Sequence, residues 1–149
     1  MKVIRVSLYA LILISLLFVP LQRIEIANLE PIEAVWMSLE NDNIVLLTDT
    51  DDKGSGITVE KALSDMKEKS PGIVYLDTAQ FLFVSDSALK EISAIGSFVK
   101  GKIRLCKWDG EGDIKDAVKY ADSHNMGVKL SKWNDLGKLP ELPPLKPEK

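Results

Sequence analysis

One cysteine and one histidine in 149 residues leave little material for thiol or metal chemistry. Cys106 has no partner for an intramolecular disulfide, and a CxxC redox or structural zinc site needs a second cysteine. Inside a predicted strand, a lone cysteine reads as a buried thiol, with an intermolecular disulfide as the alternative. His124 stands at the polar end of a predicted helix with no G-x-S-x-G elbow to serve, and its expected role is contact with helix-terminal carbonyls. A basic excess is missing as well. Of 19 Lys and Arg, Lys2 and Arg5 precede an apolar run, which leaves 17 against 22 acidic residues in the remainder. That mixed, acidic balance argues against a nucleic-acid partner, because a phosphate-backbone binder needs clustered Lys and Arg. Aromatic residues make up only 7%, so the three tryptophans are informative: Trp36, Trp108 and Trp133 all fall on or beside predicted strands. Each is expected to fill a core edge first, with an aromatic contact patch as the alternative.

Long apolar runs are also scarce, with one exception. Val6 to Leu21 is interrupted only by Ser7, Ser15 and Pro20 and has Lys2 and Arg5 in front of it, the pattern of a membrane-targeting core with a basic flank. Sixteen helical residues span roughly 24 Å against roughly 30 Å of hydrocarbon, so a signal peptide and an anchor both fit the length. A cut after Ala27 would put Glu25 where a small residue is wanted, and no cysteine follows to carry a lipid. Residues 1–22 are therefore expected to be an uncleaved signal-anchor with a cytoplasmic N-terminus and the domain outside. The protein is secreted instead if the segment is cleaved. Residues 23–31 form a juxtamembrane connection, 32–138 an α/β domain, and 139–149 a proline-rich tail that is extended or disordered, since Pro140, Pro143, Pro144 and Pro147 fall within it.

Within the domain the most regular stretch is Ile44 to Val84. Ile44 to Thr48 is a strand paired as a hairpin with Ile32 to Leu39 across Asn41, Asp42 and Asn43, residues that tolerate left-handed turns. Asp49 to Gly56 reads as a glycine turn. Val59, Ala62, Leu63 and Met66 then mark one face of a helix capped by Thr58 and ended by Ser70, Pro71 and Gly72. Ile73 to Leu76 and Phe81 to Val84 read as two short strands around a polar corner. A second helix, capped within Ser85 to Ser87, carries Leu89, Ile92, Ile95, Phe98 and Val99 and ends at Gly101. Lys102 to Trp108 is a strand, Asp113 caps a third helix through Ala121, and Val128 to Trp133 closes the sheet. The alternation predicts a small single α/β domain with a mixed, largely parallel sheet, an N-terminal hairpin and about three helices.

Candidate sites are few. Asp49, Asp51 and Glu60, with Lys53 and Gly54 between, match a calcium-loop spacing, but Lys53 occupies the place of an oxygen ligand and a strand precedes the loop; a solvated acidic turn is the competing reading. Gly54, Ser55 and Gly56 before a helix offer amides to an anion, though no P-loop lysine follows. Asp49 and Asp77 are a carboxylate pair that the carboxyl-terminal ends of strands could bring together, the basis of an alternative reading as a secreted small-ligand binder or hydrolase. No catalytic residue, metal or cofactor is assigned.

The hairpin around Asn41 to Asn43, the G-x-G-x-T-x-E-x-A-L order of Gly54, Gly56, Thr58, Glu60, Ala62 and Leu63, Pro71, and the segments Ile73 to Leu76 and Phe81 to Val84 together resemble a known family. The pattern, over roughly residues 32 to 122, is similar to the N-terminal domain of the C subunit of bacterial spore germinant receptors, membrane-tethered envelope proteins. The chain departs from that family in having no lipid-modified cysteine and room for only one domain. The resemblance implies a non-enzymatic interaction or assembly module, held at the membrane by its N-terminal helix and acting on a protein partner.

Overall fold

The computed structural model describes residues 31–133 and 138–145, so the signal-anchor and most of the juxtamembrane connection lie outside the described residues. The chain enters β1 (Ala34–Glu40) and turns through Asn41 and Asp42, at φ 49° and 62°, into β2 (Asn43–Thr48). Two successive left-handed residues make the primed turn whose twist matches a hairpin, as the Asn-Asp pair predicts. The segment expected to be a glycine turn is instead a third strand, β3 (Lys53–Gly56), antiparallel to β2. Gly54 and Gly56 face the first helix, α1 (Val59–Lys69), and a Cβ on Gly54 would meet the Ala62 carbonyl and lie 2.6 Å from Met66 Cβ. The glycines are thus spaced by the strand period, and the absence of side chains lets α1 lie directly on the strand. Thr58 caps α1, its hydroxyl accepting from the Lys61 amide at 3.2 Å, a cap worth about 1 kcal/mol.

After α1 the expected strand at Ile73 to Leu76 does not form. Both sides of β1 are taken, by β2 and β4 (Phe81–Val84), so the segment has no partner and ends in a 3₁₀ turn at Leu76–Thr78. The second helix is shorter than its apolar spacing suggests: 3₁₀ geometry covers Asp86–Glu91, and α2 (Ile92–Ile95) is one turn before Gly96 and Ser97, both weak helix formers. Then follow β5 (Arg104–Lys107), α3 (Ile114–Ser123) and β6 (Val128–Lys129), where the predicted closing strand keeps two residues before a 3₁₀ turn at Leu130–Lys132.

The result is a small α/β domain on a mixed sheet of order β3-β2-β1-β4-β5-β6. Only β1–β4 and β4–β5 run parallel, so the sheet is not largely parallel; the antiparallel pairs come from the hairpins that join β1, β2 and β3 at one end and from β6, which returns through α3, at the other. α1, α2 and the 3₁₀ segment before α2 cover one face, burying Val35, Met37, Leu46, Leu82 and Leu105. α3 covers the other, over Ala34, Phe81, Phe83 and Cys106. Phe81–Val84 is buried on both faces, which explains its unbroken apolar run.

The boundary expected near Lys138 moves outward. Pro140 accepts from the Lys107 amide at 2.8 Å, and the Leu142 amide donates to the Lys107 carbonyl at 2.9 Å. Glu141 thereby forms a parallel bridge beside the end of β5, and Leu142 is buried in the α3 face. Residues 138–145 run extended, and they join the domain at the end of β5 because β6 pairs only with Arg104 and Leu105.

Candidate functional site

The carboxylates singled out by spacing are structural ones. Asp49 is 8% exposed, and its Oδ1 accepts from the amides of Glu33 at 3.0 Å and Ala34 at 3.1 Å, tying the end of β2 to the start of β1. Asp51 occupies a left-handed turn position at φ 66°, and Glu60 is exposed in the first turn of α1. Among the described residues no three metal-ligating side chains come together, so Asp49, Asp51 and Glu60 do not form the calcium loop. Asp77 is held by its own neighbours: the Tyr75 hydroxyl donates to Oδ2 at 3.0 Å, and Lys100 Nζ lies 3.7 Å away. That hydrogen bond, more than the nearby charge, pushes the Tyr75 phenol up. Asp49 and Asp77 both sit at the amino-terminal end of the parallel strands, because β2 runs against them; the carboxyl-terminal placement expected for the pair is not found.

The other sequence candidates also find partners. The Ser55 amide, part of the supposed anion turn, donates to Asp65 Oδ2 at 2.9 Å. The Lys69 ammonium first, and this amide second, hold the Asp65 carboxyl below its usual value. Cys106 is buried under α3, and burial pushes its thiol up to about 12. His124 stacks on Tyr120 at 4.1 Å, with Nδ1 2.9 Å from the Tyr120 carbonyl and 3.0 Å from the Ser123 hydroxyl. Trp36 donates through its indole to the Trp108 carbonyl at 3.2 Å and meets the Trp108 ring edge-on at 6.2 Å, both in or against the core as expected.

Trp133 lies elsewhere, and it marks the site that residue spacing did not find. The chain leaves β4 at Ser85 toward the α2 face and leaves β5 at Trp108 toward the α3 face. Adjacent parallel strands whose connections part in this way leave a crevice at their carboxyl ends. A cavity of about 660 Å³ opens there on the α2 face. Leu89 and Leu139 supply apolar walls, and Lys90, Lys107 and Lys138 supply ammonium groups. Lys107 is anchored by Asp86 Oδ2 at 2.7 Å and Glu141 Oε1 at 3.2 Å, and these two carboxylates, Asp86 first, raise its pKa. Its position is therefore fixed from both the β4 exit and the tail.

Trp133 lines the same cavity, and its indole nitrogen, like that of Trp108, is buried without a hydrogen-bond partner among the described residues. An orphaned buried donor costs about 1–3 kcal/mol. The crevice itself offers a cationic rim, the Trp133 ring and apolar walls, a combination that suits an anionic group carried on an apolar body. No Ser, Thr, Cys or His is among its described lining residues. The sequence signal available for it was slight: Trp133 just after a closing strand, with lysines spread over three segments that only the fold assembles. Compared with family models, curated proteins and solved structures, the chain gives no significant match.

Proposed function

We propose that the protein is a non-enzymatic interaction module, tethered to the membrane by its apolar N-terminal segment with the α/β domain outside the cytoplasm. The observation that carries the binding part of this reading is the crevice at the end of β5, where Trp133, apolar walls and three lysines border one space. Its partner is a protein segment that brings a carboxylate on an apolar stem. The lysine and tryptophan rim would steer and hold the anion, and Leu89 and Leu139 would cover the stem. The anchor and its orientation rest on the Val6 to Leu21 run and on Lys2 and Arg5 before it. The resemblance to a germinant-receptor assembly domain supports the same class of role.

The test has two arms in the intact membrane. A C-terminal reporter active only outside the cytoplasm should be active; a silent, stably expressed fusion overturns the topology. A photo-crosslinker at Leu139 should give a discrete protein adduct that K90E/K138E reduces several-fold, and an adduct indifferent to those charges overturns the crevice as the site.

A second reading is favoured by the cavity's size, which lies in the range of small-molecule sites. In it the occupant is a free anionic small molecule. Thermal stabilisation of the full chain by simple aromatic or aliphatic carboxylates, abolished by Trp133→Phe with Lys90→Glu, would favour it over a protein segment.

A further inference from the structure

At the opposite end of the sheet, the amino-terminal ends of β4 and β5 form a corner with a different composition. A broad depression of about 610 Å³ is bordered there by Lys100, Lys102, Arg104 and Lys129, with Asp77 and Gln80 on the near side. Arg104 is engaged by Asp122 at 2.7 Å and lies over the Phe81 ring at 4.1 Å, and Lys100 leans toward Asp77. Lys102 and Lys129 are exposed. Beside this basic depression stand Tyr75 and Phe98, exposed to 45% and 39%, with Ile73, exposed to 49%, two residues before Tyr75 in the chain; these are three of the five exposed large hydrophobic residues described. They are not scattered. Asp77 Oδ2 accepts from the Tyr75 hydroxyl and faces Lys100 Nζ, and Phe98 lies two residues before Lys100, so one corner presents both aromatic edges and ammonium groups.

The described chain begins at this same corner. Ile32 is buried there, and its carbonyl accepts from the Thr78 hydroxyl at 3.0 Å, on the rim of the depression. Ten residues separate Leu21, the end of the apolar run, from Ile32, a reach of at most about 35 Å. If the run is an anchor, the corner lies within tether reach of the bilayer from which the chain emerges. Basic residues beside exposed aromatics are the composition of a surface that rests on anionic headgroups. The acidic turn with Asp51 and Asp52 lies at the same end but beneath β2 and β3, at least three strand spacings or roughly 15 Å from β5, beyond the screening length of about 8 Å. Exposed Glu33 is nearer, its carbonyl accepting from the Gln80 and Phe81 amides beside β4, and with Asp77 and Asp122 it offsets part of the positive charge, so the basic character of the corner is carried by Lys100, Lys102 and Lys129 on the β5 side.

We propose that this corner docks on the anionic phospholipid surface of the membrane that tethers the chain, with Lys100, Lys102 and Lys129 against lipid headgroups and Phe98, Tyr75 and Ile73 at the interface. The proposal rests on the anchor reading of residues 1–22. It fixes the domain's orientation: the amino-terminal strand ends face the lipid, and the crevice at the carboxyl end of β5 faces away, open to a partner.

The full chain is incorporated into nanodiscs of phosphatidylcholine alone or with roughly one third phosphatidylglycerol, and a fluorophore is attached through Phe98→Cys or, as a control at the far end of β1, Glu40→Cys. The native thiol is fully buried and does not compete for label. Quenching by nitroxide-bearing lipids should be several-fold greater at position 98 than at 40 in anionic discs, and K100E/K102E/K129E should bring it down to the control. Equal quenching at the two positions, with the chain retained on the disc, overturns the docked orientation alone. Undiminished quenching at position 98 in neutral discs overturns the headgroup contact. A chain that elutes apart from the discs overturns the anchor reading and this proposal with it. Salt-sensitive binding of polyglutamate without lipid quenching assigns the corner to an acidic protein and overturns it too.

Discussion

Replacing Leu142 with alanine separates a docked tail from a loose one. Leu142 is 5% exposed and lies in the cluster with Trp108 and Ile114, seven residues before the chain's last lysine. A buried leucine truncated to alanine typically costs about 2–5 kcal/mol, the spread reflecting how far the site collapses. Here a cavity of about 260 Å³ already borders Leu142 and Trp108, so packing around the side chain is incomplete and the lower half of that range applies, about 2–3 kcal/mol. For a domain near 100 residues this corresponds to a fall in Tm of about 10–15 °C. Thermal unfolding of the full chain in detergent, followed by circular dichroism, gives the number. Pro143→Ala, at an exposed neighbour, should move Tm by less than about 2 °C. Deletion of Leu139 to Lys149 should cost more than L142A, since it also removes both backbone hydrogen bonds to Lys107 and the Glu141 ion pair. If L142A behaves like the Pro143 control, the tail does not belong to the domain and the boundary returns to Lys138.

Three further substitutions probe separate parts of the fold. Gly54→Ala places a methyl against the backbone of α1 at Ala62 and Met66, which cannot yield as a side-chain tip would, so it should destabilise by about 3 kcal/mol in a denaturant titration; a neutral result would show that α1 does not lie on β3. Asp49→Ala orphans the Glu33 and Ala34 amides and should cost about 2 kcal/mol, whereas added calcium should not shift the wild-type midpoint; stabilisation by millimolar calcium would restore the metal loop. Cys106 ionises near 9.0 when unfolded and only at about 12 when folded, so its contribution is complete below pH 9 and is lost progressively as pH rises from 9 to 12. Cys106→Ala should flatten that alkaline decline relative to wild type, and parallel curves would contradict the burial.

What the sequence made legible was local. The Asn-Asp turn, the Thr58 cap and the apolar stripes of α1 and α3 each depend on neighbours within a few positions, and each formed where those neighbours placed it. What failed depended on partners far along the chain. Ile73 to Leu76 alternates like a strand, yet β1 had no open side to offer it. Lys53–Gly56 has a turn's composition, yet α1 needed a strand without side chains beneath it. The same limit governs the sites. Asp49 and Asp51 are close in sequence and drew attention for that reason, although Asp49 is spent on β1 amides. Lys90, Lys107, Trp133 and Lys138 come from four segments, and no spacing rule joins them before the sheet does.

The way the outer strands are finished has a consequence for crowding. At β3 the outward Ser55 amide is already bonded to Asp65; on the other side β6 is two residues long, and the chain's own tail occupies the rest of β5. A sheet with open lateral amides invites the same strand from another copy, and that hazard rises with local concentration. Closing both margins from within keeps each sheet separate from its neighbours as copies of the chain are concentrated.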